Sequence, residues 1–183
     1  EIIAAKGAPM QGLEEALEKL CRHAEKAVED GATILILSDR TADAQRAPIP
    51  ALLAVAGVHH HLIRQGLRTR CGLVVESAEP REVHHFGCLL GYGASAVYPY
   101  MAYDTIADLI AAKEIDLQDT AAGLRNYMHA VESGLLKVMS KIGISTLQSY
   151  QGAQIFECLG LGLSLVERFF TDTATRIGGA ELP

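Results

Sequence analysis

The sequence predicts an α/β fold in which parallel strands alternate with helices in an incomplete (β/α) barrel-like domain. Three observations lead there. Apolar β-branched runs such as Thr33-Ile34-Leu35-Ile36-Leu37 carry no polar alternation, the pattern of a strand covered on both faces. Helical segments separate these runs, as in a parallel sheet. Only four or five strands can be placed in 183 residues, whereas a closed barrel needs eight strands and ~250 residues.

The first helix follows from Met10, Leu13, Leu17, Leu20, Cys21, Ala24, Ala27 and Val28, which recur at three- and four-residue steps. Glu15–Lys19 and Glu18–Arg22 are acid-before-base pairs on its other face, and Asp30-Gly31 ends it. The strand at Thr33 to Leu37 comes next. Pro48 and Pro50 then open a helix that runs to about Gly66. Leu73-Val74-Val75 is a second buried strand. Glu79-Pro80 introduces a helix that closes at Gly91-Tyr92-Gly93, and Ala94 to Tyr98 is a third strand stopped by Pro99. Helices are expected over Thr105 to Lys113, with Thr105 and Asp108 as a capping box, and over Asp119 to Lys141. A fourth strand over Ile144 to Gln148, a helix over Gly152 to Leu159 and a fifth strand over Leu163 to Val166 complete the reading.

Composition narrows the class. Hydrophobic residues make up 49% of the chain and charged ones 21%, which excludes a disordered or collagen-like protein. With 16 Lys+Arg against 22 Asp+Glu, the net charge of −6 argues against nucleic acid and anionic membranes as partners. The longest apolar stretches fall short of the ~20 residues of a membrane span. The start shows no signal peptide and no initiator Met, the expectation for a processed or excised chain. Cys21, Cys71, Cys88 and Cys158 are widely spaced, without the close pairs of a zinc or iron–sulfur site. They are expected to be reduced thiols in a cytoplasmic protein.

Few residues suggest chemistry. Adjacent residues in His59-His60-His61 point about 100° apart on a helix, so the run cannot chelate one metal; no metal site is expected. Polar residues do fall at the expected carboxyl ends of strands, where α/β folds bind ligands. These are Ser38-Asp39-Arg40, Glu76-Ser77, Tyr98-Pro99-Tyr100 and Gln148-Ser149-Tyr150-Gln151. Asp39, Arg40, Gln148, Tyr150 and Gln151 are the candidate rim; helix capping and an Asp–Arg ion pair are the structural alternative. Gly91-Tyr92-Gly93 ends a helix instead of opening one, so it is no dinucleotide fingerprint.

Several strings resemble one family. They are Ala32-Thr-Ile-Leu-Ile-Leu-Ser-Asp-Arg40, Ile49-Pro-Ala-Leu-Leu-Ala-Val55, His59-His-His-Leu-Ile-Arg64, Gly66-Leu-Arg-Thr-Arg70, Glu82-Val-His-His-Phe86, Leu89-Leu-Gly-Tyr-Gly-Ala94 and the long run from Gly134 to Glu157. Together they resemble the central domain of the glutamate synthase large subunit, from about Leu13 to Gly179. The resemblance implies a single domain over 1–183, the C-terminal portion of that central domain, with a fold similar to the FMN-binding barrel.

It also implies a parent enzyme that hydrolyses L-glutamine in an amidotransferase domain. Ammonia is passed to an FMN barrel, where 2-oxoglutarate is converted to L-glutamate. The implied parent cofactors are FMN and [3Fe-4S], with electrons from an NADPH-oxidising small subunit or from ferredoxin. The implied location is the cytoplasm, or a plastid for a ferredoxin-dependent plant parent. None of the family's catalytic positions is matched here: residue 1 is Glu, and neither the cluster cysteines nor the FMN-phosphate and 2-oxoglutarate loops are present. The segment is therefore expected to bind no cofactor and to link the amidotransferase and FMN domains of its own polypeptide, with Ile144 to Glu157 toward the FMN domain. Two other readings stay open. One is an autonomous barrel-like enzyme binding a flavin or anionic metabolite at the strand ends; the other is a dimerisation module built on Leu52 to Ile63.

Overall fold

A computed structural model describes residues 3–5 and 11–182. A short strand β1 (Ile3–Ala5) precedes helix α1 (Gln11–Glu29) and strand β2 (Ile34–Ser38). Strand β3 (Arg46–Pro48) pairs antiparallel with β1 and leads into helix α2 (Ala51–Arg64). Strand β4 (Gly72–Glu76), helix α3 (Val83–Gly91) and strand β5 (Ala96–Tyr98) follow at the expected places. Strands β2, β4 and β5 form one parallel sheet in that order.

One face of this sheet carries Leu35, Leu37, Leu73 and Val75, all buried, and it packs on the core that α1 and α2 cover. Helix α1 contributes Leu17, Leu20, Cys21, Ala24 and Val28, one stripe at helical spacing. Of the acid–base pairs expected on its far side, Glu18–Arg22 forms at 3.5 Å. Among the described residues no ion pair joins Glu15 to Lys19. Helix α2 is buried at Ala51, from Leu53 to Val58 and again at Leu62. Those residues are spent on this chain's own core, and of the segment Leu52 to Ile63 only Ile63 remains as a strongly exposed apolar side chain.

The other face of the sheet differs from expectation. Strands of continuous apolar character predict cover on both sides, yet Ile34 is 62% and Ile36 60% exposed. The register explains the shape of this face. Ile34 stands beside Gly72; Ile36, Val74 and Ala96 form the next row; Ser38, Glu76 and Tyr98 form the last.

Helix α4 (Tyr100–Ala111) begins directly after Pro99, five residues earlier than expected. Thr105 is consequently inside the helix, where its hydroxyl donates to the Met101 carbonyl at 2.7 Å, and it caps nothing. Helix α5 (Thr120–Ile142) is capped by the Asp119 side chain, which accepts from the Ala121 amide, and it ends at Gly143 with φ of 73°.

Beyond Gly143 the expected strand–helix–strand order is reversed. The segment expected as a fourth strand becomes the one-turn helix α6 (Leu147–Tyr150), because Thr146 accepts from the Ser149 amide and starts a turn. Strand β6 (Glu157–Leu161) replaces the expected helix, and helix α7 (Leu163–Phe169) replaces the expected strand. Leu165, Val166 and Phe169 are buried at i, i+1 and i+4, a helical spacing. Strand β7 (Ala174–Ala180), absent from the sequence reading, pairs parallel with β6.

Candidate functional site

The carboxyl ends of β2, β4 and β5 bring together a polar cluster. The Ser38 hydroxyl donates to Glu76 Oε2 at 2.6 Å, and Arg40 Nε donates to Oε1 of the same carboxylate at 2.5 Å. These bonds hold the Glu76 carboxyl below its ordinary range, the serine contributing most. The Arg40 guanidinium lies 4.2 Å from the centre of the Tyr100 ring and 5.7 Å from that of Tyr98, within cation–π reach of both.

Asp39 points the other way. It is 3% exposed and accepts from the Ser77 hydroxyl at 2.6 Å and from the Ala78 amide at 3.1 Å. Burial, with the Asp39 carboxylate nearby, pushes the Tyr100 phenol up to about 12. Further along the same turn, the Ser77 hydroxyl accepts from the Glu79 amide, and Glu79 accepts from the Ala51 amide at the start of α2. Burial raises the Glu79 carboxyl above its ordinary range. The chain's own acceptors thus engage the amides that open the β4–α3 connection.

Of the five candidate rim residues, only Asp39 and Arg40 stand at strand ends. Tyr150 is 2% exposed and its phenol donates to the Gly87 carbonyl at 3.1 Å in α3. The Gln151 amide donates to the Ala94 carbonyl at 2.9 Å, before β5 begins. Both residues are internal struts near the amino end of β5, on the side away from Arg40. Gln148 is exposed on α6. The expected grouping fails because it assumed a fourth strand. Glu76 and Tyr98, which complete the cluster, were legible as strand-end residues.

The histidine run serves packing. His61 Nε2 lies 2.7 Å from Glu25. His59 Nδ1 accepts from Arg68 Nε at 2.9 Å, while the two terminal nitrogens of Arg68 reach the Cys71 and Gly93 carbonyls at 2.7 Å. Burial, with Arg68 and His60 adding repulsion, lowers His59 to about 4. Gly93 sits at φ of +108° directly against the His59 ring, where a Cβ would overlap it. Among the described residues no three His, Cys, Asp or Glu side chains gather to hold a metal.

These residues do not fit the groups that the parent family carries. A flavin phosphate needs free amides or an available cation at the strand ends. Here Ala78 and Glu79 donate to protein acceptors, and Arg40 is held by Glu76. An iron–sulfur cluster needs several cysteines together, and no such group occurs among the described residues.

A family model described as the glutamate synthase central domain matches residues 2–162. The chain belongs to that family. The large chain of the NADPH glutamate synthase of Bacillus subtilis is 47% identical over 172 residues, covering 94% of this chain and 11% of that protein. The ferredoxin-dependent glutamate synthase 2 of Synechocystis is 46% identical, covering 93% of this chain and 12% of that protein. This glutamate synthase central domain therefore spans about a tenth of the length of the curated relatives it matches.

Among solved structures, a flavocytochrome b2 variant with sulfite bound superposes with a TM-score of 0.55 at 17% identity, over 73% of this chain and 32% of that one. A second variant, with pyruvate bound, also gives 0.55, over 87% of this chain. The likeness is one of fold: parallel strands alternating with helices, in a central domain whose described strands do not close into a barrel.

Proposed function

We propose that this central domain is the interdomain scaffold of a glutamate synthase, linking its amidotransferase and FMN-binding domains and holding no complete active site. The parent would convert L-glutamine and 2-oxoglutarate, with two electrons, into two molecules of L-glutamate. FMN and [3Fe-4S] would lie in the parent outside these residues, with an NADPH-oxidising subunit or ferredoxin as electron source. Residues 1–183 would then be the C-terminal portion of the central domain.

One observation carries this reading: the uncovered apolar face of the parallel sheet. Parallel sheets are covered on both faces almost without exception, so Ile34, Ile36 and Tyr98 call for a neighbour. The Arg40–Glu76 pair and the two tyrosines edge the same face and would form the polar margin of the contact. Gln148 is the second exposed candidate for a domain contact. Among the described residues no helix is long and apolar enough to cross a membrane.

Two measurements test the proposal. Substituting Ile36→Glu in the complete enzyme places a charge in the interdomain contact. Glutamine hydrolysis should continue while glutamate formation from glutamine falls several-fold, with free ammonia released. Tight coupling in that variant counts against the scaffold. Titrating FMN with the purified chain should leave flavin fluorescence unquenched; saturable quenching would favour a flavin-binding enzyme instead.

A further inference from the structure

Away from the strand ends, a cavity of about 270 Å³ opens between α1, α2 and α7. Its floor is apolar, made by Leu17, Cys21 and Phe169. Three arginines, one from each helix, stand around it: Arg22, Arg64 and Arg168. Glu18 is the single carboxylate in the lining, and the His61 ring is already paired with Glu25.

Two of the arginines already have carboxylate partners. Arg168 donates to Glu14 and, at 2.9 Å, to Glu18. Arg22 reaches the other oxygen of Glu18 at 3.5 Å. The Arg64 side chain forms no hydrogen bond or ion pair with any described residue. A chain of net charge −6 thus concentrates three guanidinium groups on one small cavity and leaves one of them unspent. Burial pushes the Cys21 thiol at the cavity floor up to about 11, and the three arginines only partly oppose that rise.

We infer that this cavity is a binding site for a small anion carrying a carboxylate or phosphate group. Arg64 makes the principal pair, with Arg22 and Arg168 at the sides. The guanidinium fork matches both anion types. At about 270 Å³ the cavity is at the small end of ligand pockets, which suits a small metabolite. The apolar floor gives a short carbon skeleton a surface to lie on. This site is independent of the scaffold reading, since it lies on the helical layer and uses none of the sheet-face residues.

The test is calorimetric titration of the full chain at low ionic strength with inorganic phosphate and, separately, succinate. Saturable one-to-one binding is expected for at least one of them, and the preferred probe tells phosphate from carboxylate chemistry. Arg64→Gln should weaken binding at least tenfold and Arg64→Lys less. Both substitutions lie on the surface, so unchanged far-UV circular dichroism is expected. Arg176→Gln, at an 80% exposed side chain on β7, should leave affinity unchanged. No saturable binding of either probe, or equal weakening by Arg64→Gln and Arg176→Gln, would overturn the site.

Discussion

The His59 ring accepts a proton only at the cost of its bond from Arg68, and this makes it one route by which acid weakens the fold. Its folded value of about 4 lies below the ordinary 6.5, so between those two values the unfolded chain binds more protons than the folded one. Stability is therefore full above about pH 6.5 and declines as the pH falls toward 4. Thermal melting followed from pH 7 to pH 4 should show that decline. The variant His59→Gln, which keeps an acceptor for Arg68 but cannot titrate, should reduce it, the remainder coming from His60, which burial also lowers. Tyr150 gives a second test at this scale. Removing its hydroxyl in Tyr150→Phe takes away the side-chain donor to the Gly87 carbonyl, which keeps its helical one, and should cost about 1 kcal/mol. In a chain of this size that is a fall of a few degrees in Tm.

Among the elements, what local sequence determines was legible. From α1 to α5 every helix and every strand of the parallel sheet was found within a few residues. Their periods are clear, and capping or glycine signals bound them. The three strand ends that gather Asp39, Arg40, Glu76 and Tyr98 followed from that order, because parallel strands bring their carboxyl ends together. The region after Gly143 was misread for a physical reason. Ile144, Leu147 and Ile155 are too sparse to set a period, and β6 is defined by its pairing with β7 across two register shifts. Pairing of that kind leaves no local trace. Nor do the bonds of Arg168 to Glu14 and Glu18, about 150 positions apart in the chain. The pattern Leu165-Val166-Phe169-Phe170, by contrast, is helical as it stands.

For the whole molecule, the sheet sets two opposite expectations for one pair of substitutions. In the 183-residue chain, Ile34→Lys and Ile36→Lys replace side chains that are already more than half exposed. They should reduce binding of a hydrophobic dye and raise solubility, with a change in stability within about 0.5 kcal/mol. In the complete enzyme the same changes bury a charge in a domain contact and should lower the yield of assembled protein. A solvated role for this face predicts no difference between the two settings.

The pairing of α1 with α7 also bears on how the polypeptide is made. Leu17 and Glu14 leave the ribosome long before Phe169 and Arg168, which complete their surroundings. At 5–20 residues per second, the interval is on the order of ten seconds. For that time the nascent βαβ segment from β2 to β5 must persist with the apolar flank of α1 only partly enclosed. Chaperone capture during synthesis should therefore concentrate on chains halted between β5 and α7, and fall once α7 has emerged.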